Sequence, residues 1–102
     1  MNIELSGPAE TDIAQAAAHY QAEAGLGNAF FDEVDRAFDR ILQYPHAWTM
    51  LSRRARRCPL GRFPYGVIYQ IRGDLIRVVA VFHLHRKPGS WRSRLEEGSD
   101  RV

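Results

Sequence analysis

The sequence predicts an α+β fold, and three observations carry the prediction. Two stretches in the first half place apolar residues at intervals of three and four, the period of a helix with one buried side. Residues 65–82 instead alternate, or run apolar, around a Gly-Asp turn, which is the pattern of a β-hairpin. A short alternating segment opens the chain, so a strand precedes the helices and further strands follow them.

Taken in order, Ile3 and Leu5 alternate with Asn2 and Glu4 and form the first strand. Gly7-Pro8 starts a helix, with proline at the first helical position where its missing N–H costs nothing. Over residues 8–24, Ile13, Ala16, Ala17, Tyr20 and Ala24 make one apolar stripe, which Gly25 and Gly27 end. A second helix runs from about Asn28, with Phe30, Phe31, Val34, Phe38, Ile41 and Leu42 on one side. Asp32, Glu33, Asp35, Arg36, Asp39 and Arg40 occupy the other, and Pro45 marks its end. The two helices form a hairpin whose phenylalanines pack onto a sheet.

His46-Ala47-Trp48 reads as a loop, and Arg53 to Cys58 as a strand. Four arginines in five positions cannot bury both faces, so that strand belongs at an edge or on a solvent-facing surface. From Tyr65, Val67, Tyr69 and Ile71 alternate with Gly66, Ile68, Gln70 and Arg72, and Gly73-Asp74 makes a two-residue turn. Leu75 to Phe82 is almost continuously apolar and β-branched, as a central strand is. Pro88-Gly89, Trp91 and Arg94 then suit a turn and a short terminal helix or tail, with 96–102 frayed. The expected architecture is an N-terminal strand, then a two-helix hairpin packed on one face of a mainly antiparallel sheet completed by three C-terminal strands. A single domain spans 1–95.

The 102 residues, 45% apolar and 25% charged, are those of one globular core. No run approaches the ~18 apolar residues of a membrane span and no signal peptide is visible, so a cytoplasmic location without membrane association is expected. The single cysteine, Cys58, fits a reducing compartment and suits a small buried hydrophobe. The net charge of +2 conceals a segregation: residues 1–50 hold eight acids against two arginines, whereas 51–95 hold ten arginines and Lys87 against Asp74 alone. Such a basic half calls for an anionic partner, phosphate backbone or an acidic protein segment. The thirteen arginines against one lysine sharpen this, because the planar guanidinium forks onto phosphate and carboxylate.

Several pieces, in this order and at this length, resemble the RelE/ParE superfamily of toxins from bacterial type II toxin–antitoxin systems, which includes plasmid stabilisation proteins. They are Gly7-Pro8-Ala9-Glu10 with Asp12-Ile13, the helical hairpin ending in Tyr44-Pro45, and Arg62-Phe63-Pro64-Tyr65 leading into Val67-Ile68-Tyr69. The match continues through Gly73-Asp74 and Val78 to Val81, then His83-x-x-Arg86-x-Pro88 and Trp91-x-x-Arg94. The resemblance implies a compact growth-inhibiting toxin, without cofactor, neutralised in a hetero-oligomer by a cognate antitoxin. Two modes of action are known in the superfamily. RelE-like members cleave mRNA on the ribosome without a metal, using a base, cations and a proton donor. ParE-like members share the fold and inhibit DNA gyrase by binding it.

RelE-like enzymes commonly carry a catalytic arginine three residues before a tyrosine, and here that position, in Gly66-Val67-Ile68-Tyr69, is glycine. The resemblance therefore favours ParE-like binding, with no catalytic residue assigned. For the alternative, a ribosome-dependent endoribonuclease, the candidate residues are Arg57, Arg62, His83 and Arg86. A further alternative is a basic nucleic-acid-binding module. Target or antitoxin contacts are expected at Arg53, Arg54, Arg56, Arg57, Arg62, Tyr65, His83, His85, Arg86, Trp91 and Arg94. Arg72 and Arg77, beside the hairpin turn, are expected to be solvated. His83 and His85 have no carboxylate or second cysteine beside them, so no metal site is expected.

Overall fold

The computed structural model describes residues 1–86 and 90–95. Along the chain it has β1 (Asn2–Leu5), α1 (Gly7–Ala24), α2 (Gly27–Gln43), β2 (Thr49–Ser52), β3 (Ala55–Pro59), β4 (Tyr65–Arg72) and β5 (Leu75–His83), then a 3-10 turn at Arg92–Arg94. The strands form one sheet in the order β1-β5-β4-β3-β2. Only the β1–β5 pair is parallel; the other three pairs are antiparallel. This is the expected α+β arrangement with one strand more, since four strands rather than three follow the helices. The expected turn at Pro88-Gly89 and the expected frayed tail at 96–102 lie outside the described residues.

Ser6 caps α1: its side chain accepts the Ala9 N–H at 3.2 Å, satisfying a donor that the first turn would leave orphaned. The helix closes at Gly25, whose φ of 68° is the left-handed conformation that lets its N–H reach the Gln21 carbonyl. Helix α2 buries Phe30, Val34, Ala37 and Ile41, and α1, which lies against β5, buries Ile13, Ala16 and Ala17, in one core with Cys58, Val67, Tyr69, Ile76, Val78 and Val81 of the sheet. Tyr20, Phe30, Phe63 and Tyr65 form a cluster of rings at the open end of this layer, with Tyr20 and Phe63 centroids 4.6 Å apart and Phe30 and Phe63 5.2 Å apart.

Two residues of α2 sit opposite to the expected pattern. Phe31 is 45% exposed and Glu33 is 6% exposed. The buried stripe is centred on Phe30, Val34 and Ile41, so Phe31 has rotated past its margin while Glu33 lies at the other margin. There the Glu33 carboxylate accepts the Gly61 N–H at 2.9 Å and pairs with Arg36 at 2.8 Å, fastening the loop between β3 and β4. Loss of solvation is offset by those bonds.

The arginine run is not one strand. Arg53 and Arg54 make the turn of the β2–β3 hairpin, Ala55 to Pro59 form β3, and β3 pairs on both sides rather than standing at the edge. The edge is β2. Within β3 the side chains divide by the strand period: Arg56 shares the helix-facing side with Cys58 and Tyr69, and Arg57 faces the opposite way with Ile68. Cys58 is fully buried, and burial pushes its thiol up against the hydrogen bond and charge of Arg40, so it is a packing residue.

A β-bulge phases the long strand. Ile68 pairs with Ala80 and Tyr69 with Val78, which leaves Val79 as an extra residue in β5. The apolar run is continuous because the strand is covered on both faces and its alternation is interrupted. Ile76, Val78 and Val81 meet the helices; Val79, Ala80 and Phe82 meet Trp91 and Leu95 from the C-terminal segment, which straps the second face.

Strand β1 pairs with β5 only as far as Val78, and the next backbone groups of β5 find partners elsewhere. Asp12 of α1 accepts the Val81 N–H at 3.1 Å. Arg94 of the strap donates to the Val79 carbonyl at 3.0 Å and to both Asp12 oxygens at 2.6 and 3.3 Å. Three parts of the chain thus meet at one carboxylate. Arg77, far from solvated, is half-buried and donates to the Arg94 carbonyl at 3.2 Å.

Tyr69 fastens the far end of the helix layer, its hydroxyl donating to the Pro45 carbonyl at 2.6 Å. Burial pushes this phenol up to about 12, against the nearby Arg56 charge. The neutral phenol is the form that folding favours. The resulting stability is fully present below the ordinary value of 10 and is lost as pH rises through 12. Urea midpoints measured from pH ~9 to ~12 should therefore fall more steeply in the wild type than in Tyr69→Phe; parallel slopes would show that Tyr69 is not the group responsible.

Candidate functional site

At one end of the sheet the hairpin register sets Tyr65, the first residue of β4, opposite His83, the last of β5. Their rings lie 5.3 Å apart, and His85 follows at 5.3 Å from His83. The His85 backbone N–H donates to Nδ1 of His83 at 3.1 Å, which places the proton of that imidazole on Nε2. Arg86 holds its guanidinium over Phe82, 4.2 Å from the ring centre. Between these residues and α1 lies a cavity of about 150 Å³ lined by Asp12, Gln15 and His19 from the helix and by Tyr65, His83 and Arg86 from the hairpin end. Burial pushes the Tyr65 phenol up, with Tyr20 adding to the rise and Arg86 opposing it. It is a protonated donor at neutral pH.

On the opposite face, next to this end, Arg57 lies across Gly66. A Cβ at Gly66 would sit 2.8 Å from Cγ and 3.0 Å from Cδ of Arg57, and 3.1 Å from Cδ2 of Leu84. Any side chain at this position would have to displace the Arg57 stem, so the glycine is what lets the arginine lie this close to the strand. The guanidinium of Arg57 is thereby delivered from β3 onto the surface over β4.

The other candidate residues are dispersed. Arg53, Arg54 and Arg56 line a separate cavity of about 260 Å³ with Met50 and Gln70, near the far end of β4. The two cavities are about five residues apart along that strand, roughly 16 Å. Arg56 is committed to structure, donating to the carbonyls of His46 at 2.9 Å and Trp48 at 2.8 Å. Arg53 is exposed, and Arg62 lies exposed over Phe63 at 5.7 Å. Trp91 is 6% exposed and Arg94 is locked to Asp12, so the strap uses both for packing and neither is presented to a partner as expected.

Tyr65, His83, His85 and Arg86 are thus brought together, with Arg57 on the adjoining face, whereas the Arg53–Arg56 group and the Trp91–Arg94 pair are not. Gln15 and His19 join the site without a signal in the sequence, because exposed polar residues on a helix look alike whether or not a cavity lies beside them. Among the described residues no three His, Cys, Asp or Glu side chains are grouped as a metal would require, and no helix is long and apolar enough to cross a membrane.

Comparison with known proteins adds a family. The profile of the ParE toxin of the type II toxin–antitoxin system parDE matches residues 3–88, from β1 through the end of the hairpin. The chain belongs to the ParE toxin family. No curated protein matches it in sequence. A solved structure of the chromosomal ParDE toxin–antitoxin system from P. aeruginosa is similar in fold, with a TM-score of 0.63 at 18% identity, covering 81% of this chain and 95% of that one. This ParE-family chain is the toxin of a type II toxin–antitoxin system, as the resemblance implied. Both the match and the resemblance run through the Tyr65–Arg86 end of the toxin, where the histidines and Arg86 gather.

Proposed function

We propose that this toxin acts by binding a protein target, DNA gyrase, and that a cognate antitoxin neutralises it in a cytoplasmic hetero-oligomer by laying an acidic segment over the same cations. The observation that carries the reading is Gly66. At the position where RelE-like nucleases commonly bear an arginine there is no side chain, and the stem of Arg57 fills the space. The remaining cations lie in separate groups along the sheet rather than around one point where a scissile phosphate would sit. Arg53, Arg57, Arg62 and Arg86 then serve as binding contacts, which suits guanidinium groups facing acidic side chains.

One observation favours the second reading, a ribosome-dependent endoribonuclease. Tyr65, His83 and Arg86 gather at one end, supplying the mixture of proton donor and cation that strand cleavage needs. A supercoiling assay with purified toxin separates the two. Inhibition of gyrase, relieved in Arg57→Ala, is the expected result. Unimpaired supercoiling at stoichiometric excess, together with A-site cuts in toeprints that vanish in His83→Ala, would replace the binding reading with the nuclease.

A further inference from the structure

The cavity between α1 and the end of β5 sets neutral donors beside Arg86, and target binding through the arginines gives those donors no role. We propose that it is a binding site for a phosphate group, borne by a nucleotide or a nucleic-acid strand. The site shares Arg86 with the binding reading and Tyr65, His83 and Arg86 with the nuclease reading, but phosphate binding here is read by direct titration and needs neither gyrase inhibition nor mRNA cleavage.

Size is the first consideration. At about 150 Å³ the cavity is smaller than the roughly 300–1,000 Å³ clefts that enclose whole small molecules, so it admits one functional group of a larger ligand. Charge is the second. Among the described residues the one acid in the lining is Asp12, and its two oxygens are taken by Arg94 and the Val81 N–H, which neutralises it. Among the described residues the Arg86 guanidinium has no carboxylate partner, and it lies over Phe82, 4.2 Å from the ring centre. A ring offers no strong acceptor, so the guanidinium N–H groups remain for an oxyanion.

The remaining lining is rich in donors. His83 has its proton on Nε2 because Nδ1 is occupied by the His85 N–H. Tyr65 keeps its hydroxyl proton, and Gln15 and His19 stand on the facing side of α1. One cation with several neutral donors suits the multiple acceptor oxygens of phosphate better than the two of a carboxylate. Tyr65, His83 and His19 also bring three rings to the lining, the kind of group on which a base stacks, which favours a nucleotide as the bearer.

The test is a titration of ¹⁵N-labelled toxin, followed by NMR at constant ionic strength, with inorganic phosphate, a nucleoside 5′-monophosphate and a short single-stranded oligonucleotide. Saturable shifts confined to residues 15–19, 65 and 83–86 are expected. Arg86→Ala and His19→Ala, both at exposed positions, should each weaken binding about tenfold, the scale of one charge-assisted or strong hydrogen bond, while Arg53→Ala at the other end leaves it unchanged. Unshifted Phe30 and Val67 amides in the variants establish that the fold is intact. Tighter binding of the oligonucleotide through the same residues assigns the phosphate to a strand, and equal binding of the monophosphate assigns it to a free nucleotide. The proposal is overturned if none of the three ligands produces localised shifts, or if Arg53→Ala weakens binding as much as Arg86→Ala.

Discussion

Asp12→Ala is expected to lower the melting temperature by roughly 12–24 °C, taking about 3 kcal/mol for breaking a buried pair and about 4–8 °C per kcal/mol in a domain of this size. The side chains of Asp12 and Arg94 are only 10% and 23% exposed, so neither charge is solvated when the other is removed. The substitution also orphans the Val81 N–H, which no longer finds a strand beside it. Asp12→Asn should recover part of the loss, because the amide oxygen still accepts from Val81. In a double-mutant cycle with Arg94→Met, the combined loss should fall well short of the sum of the two single losses. A shift of only a few degrees in Asp12→Ala would place this pair with surface ion pairs, which contribute little.

Trp91→Ala is the second large effect, expected to cost about 3 kcal/mol, toward the low end for a buried indole because the strap can settle onto the sheet. Trp91 is 6% exposed and packs in the layer with Ile68, Ala80 and Phe82. Trp91→Phe should retain most of the stability and all of the growth inhibition. Thermal melts of the two variants beside a growth assay distinguish packing from contact: a stable Trp91→Ala protein that has lost toxicity would return the residue to the target surface.

Both predictions concern residues whose identity was legible and whose role was not. The helices were readable because Ile13, Ala16, Phe30, Val34 and Ile41 repeat with the helical period. The β4–β5 hairpin was readable because Gly73, at φ 60°, supplies the turn that the sequence announces. The β2–β3 turn was hidden, since Arg53-Arg54 contains none of the glycine, proline, asparagine or aspartate that usually marks one. The bulge at Val79 was hidden because a strand buried on both faces looks uniform whether or not its alternation is broken. Asp12 and Arg94 are 82 positions apart, and pairing at that distance follows from topology rather than local pattern. At the candidate site, Tyr65, His83 and Arg86 were singled out by the resemblance and do converge, whereas His19 needed the packing of α1 to bring it alongside.

The extra residue at Val79 also decides which surface owns the histidine. Without it, strict alternation from Ile76 would carry Phe82 to the helix side and turn His83 outward under the strap, away from Tyr65 and His19. A one-residue frame in the strand therefore works as an address: it sends the same short peptide, Val81 to His83, to the α1 cavity instead of to the strap.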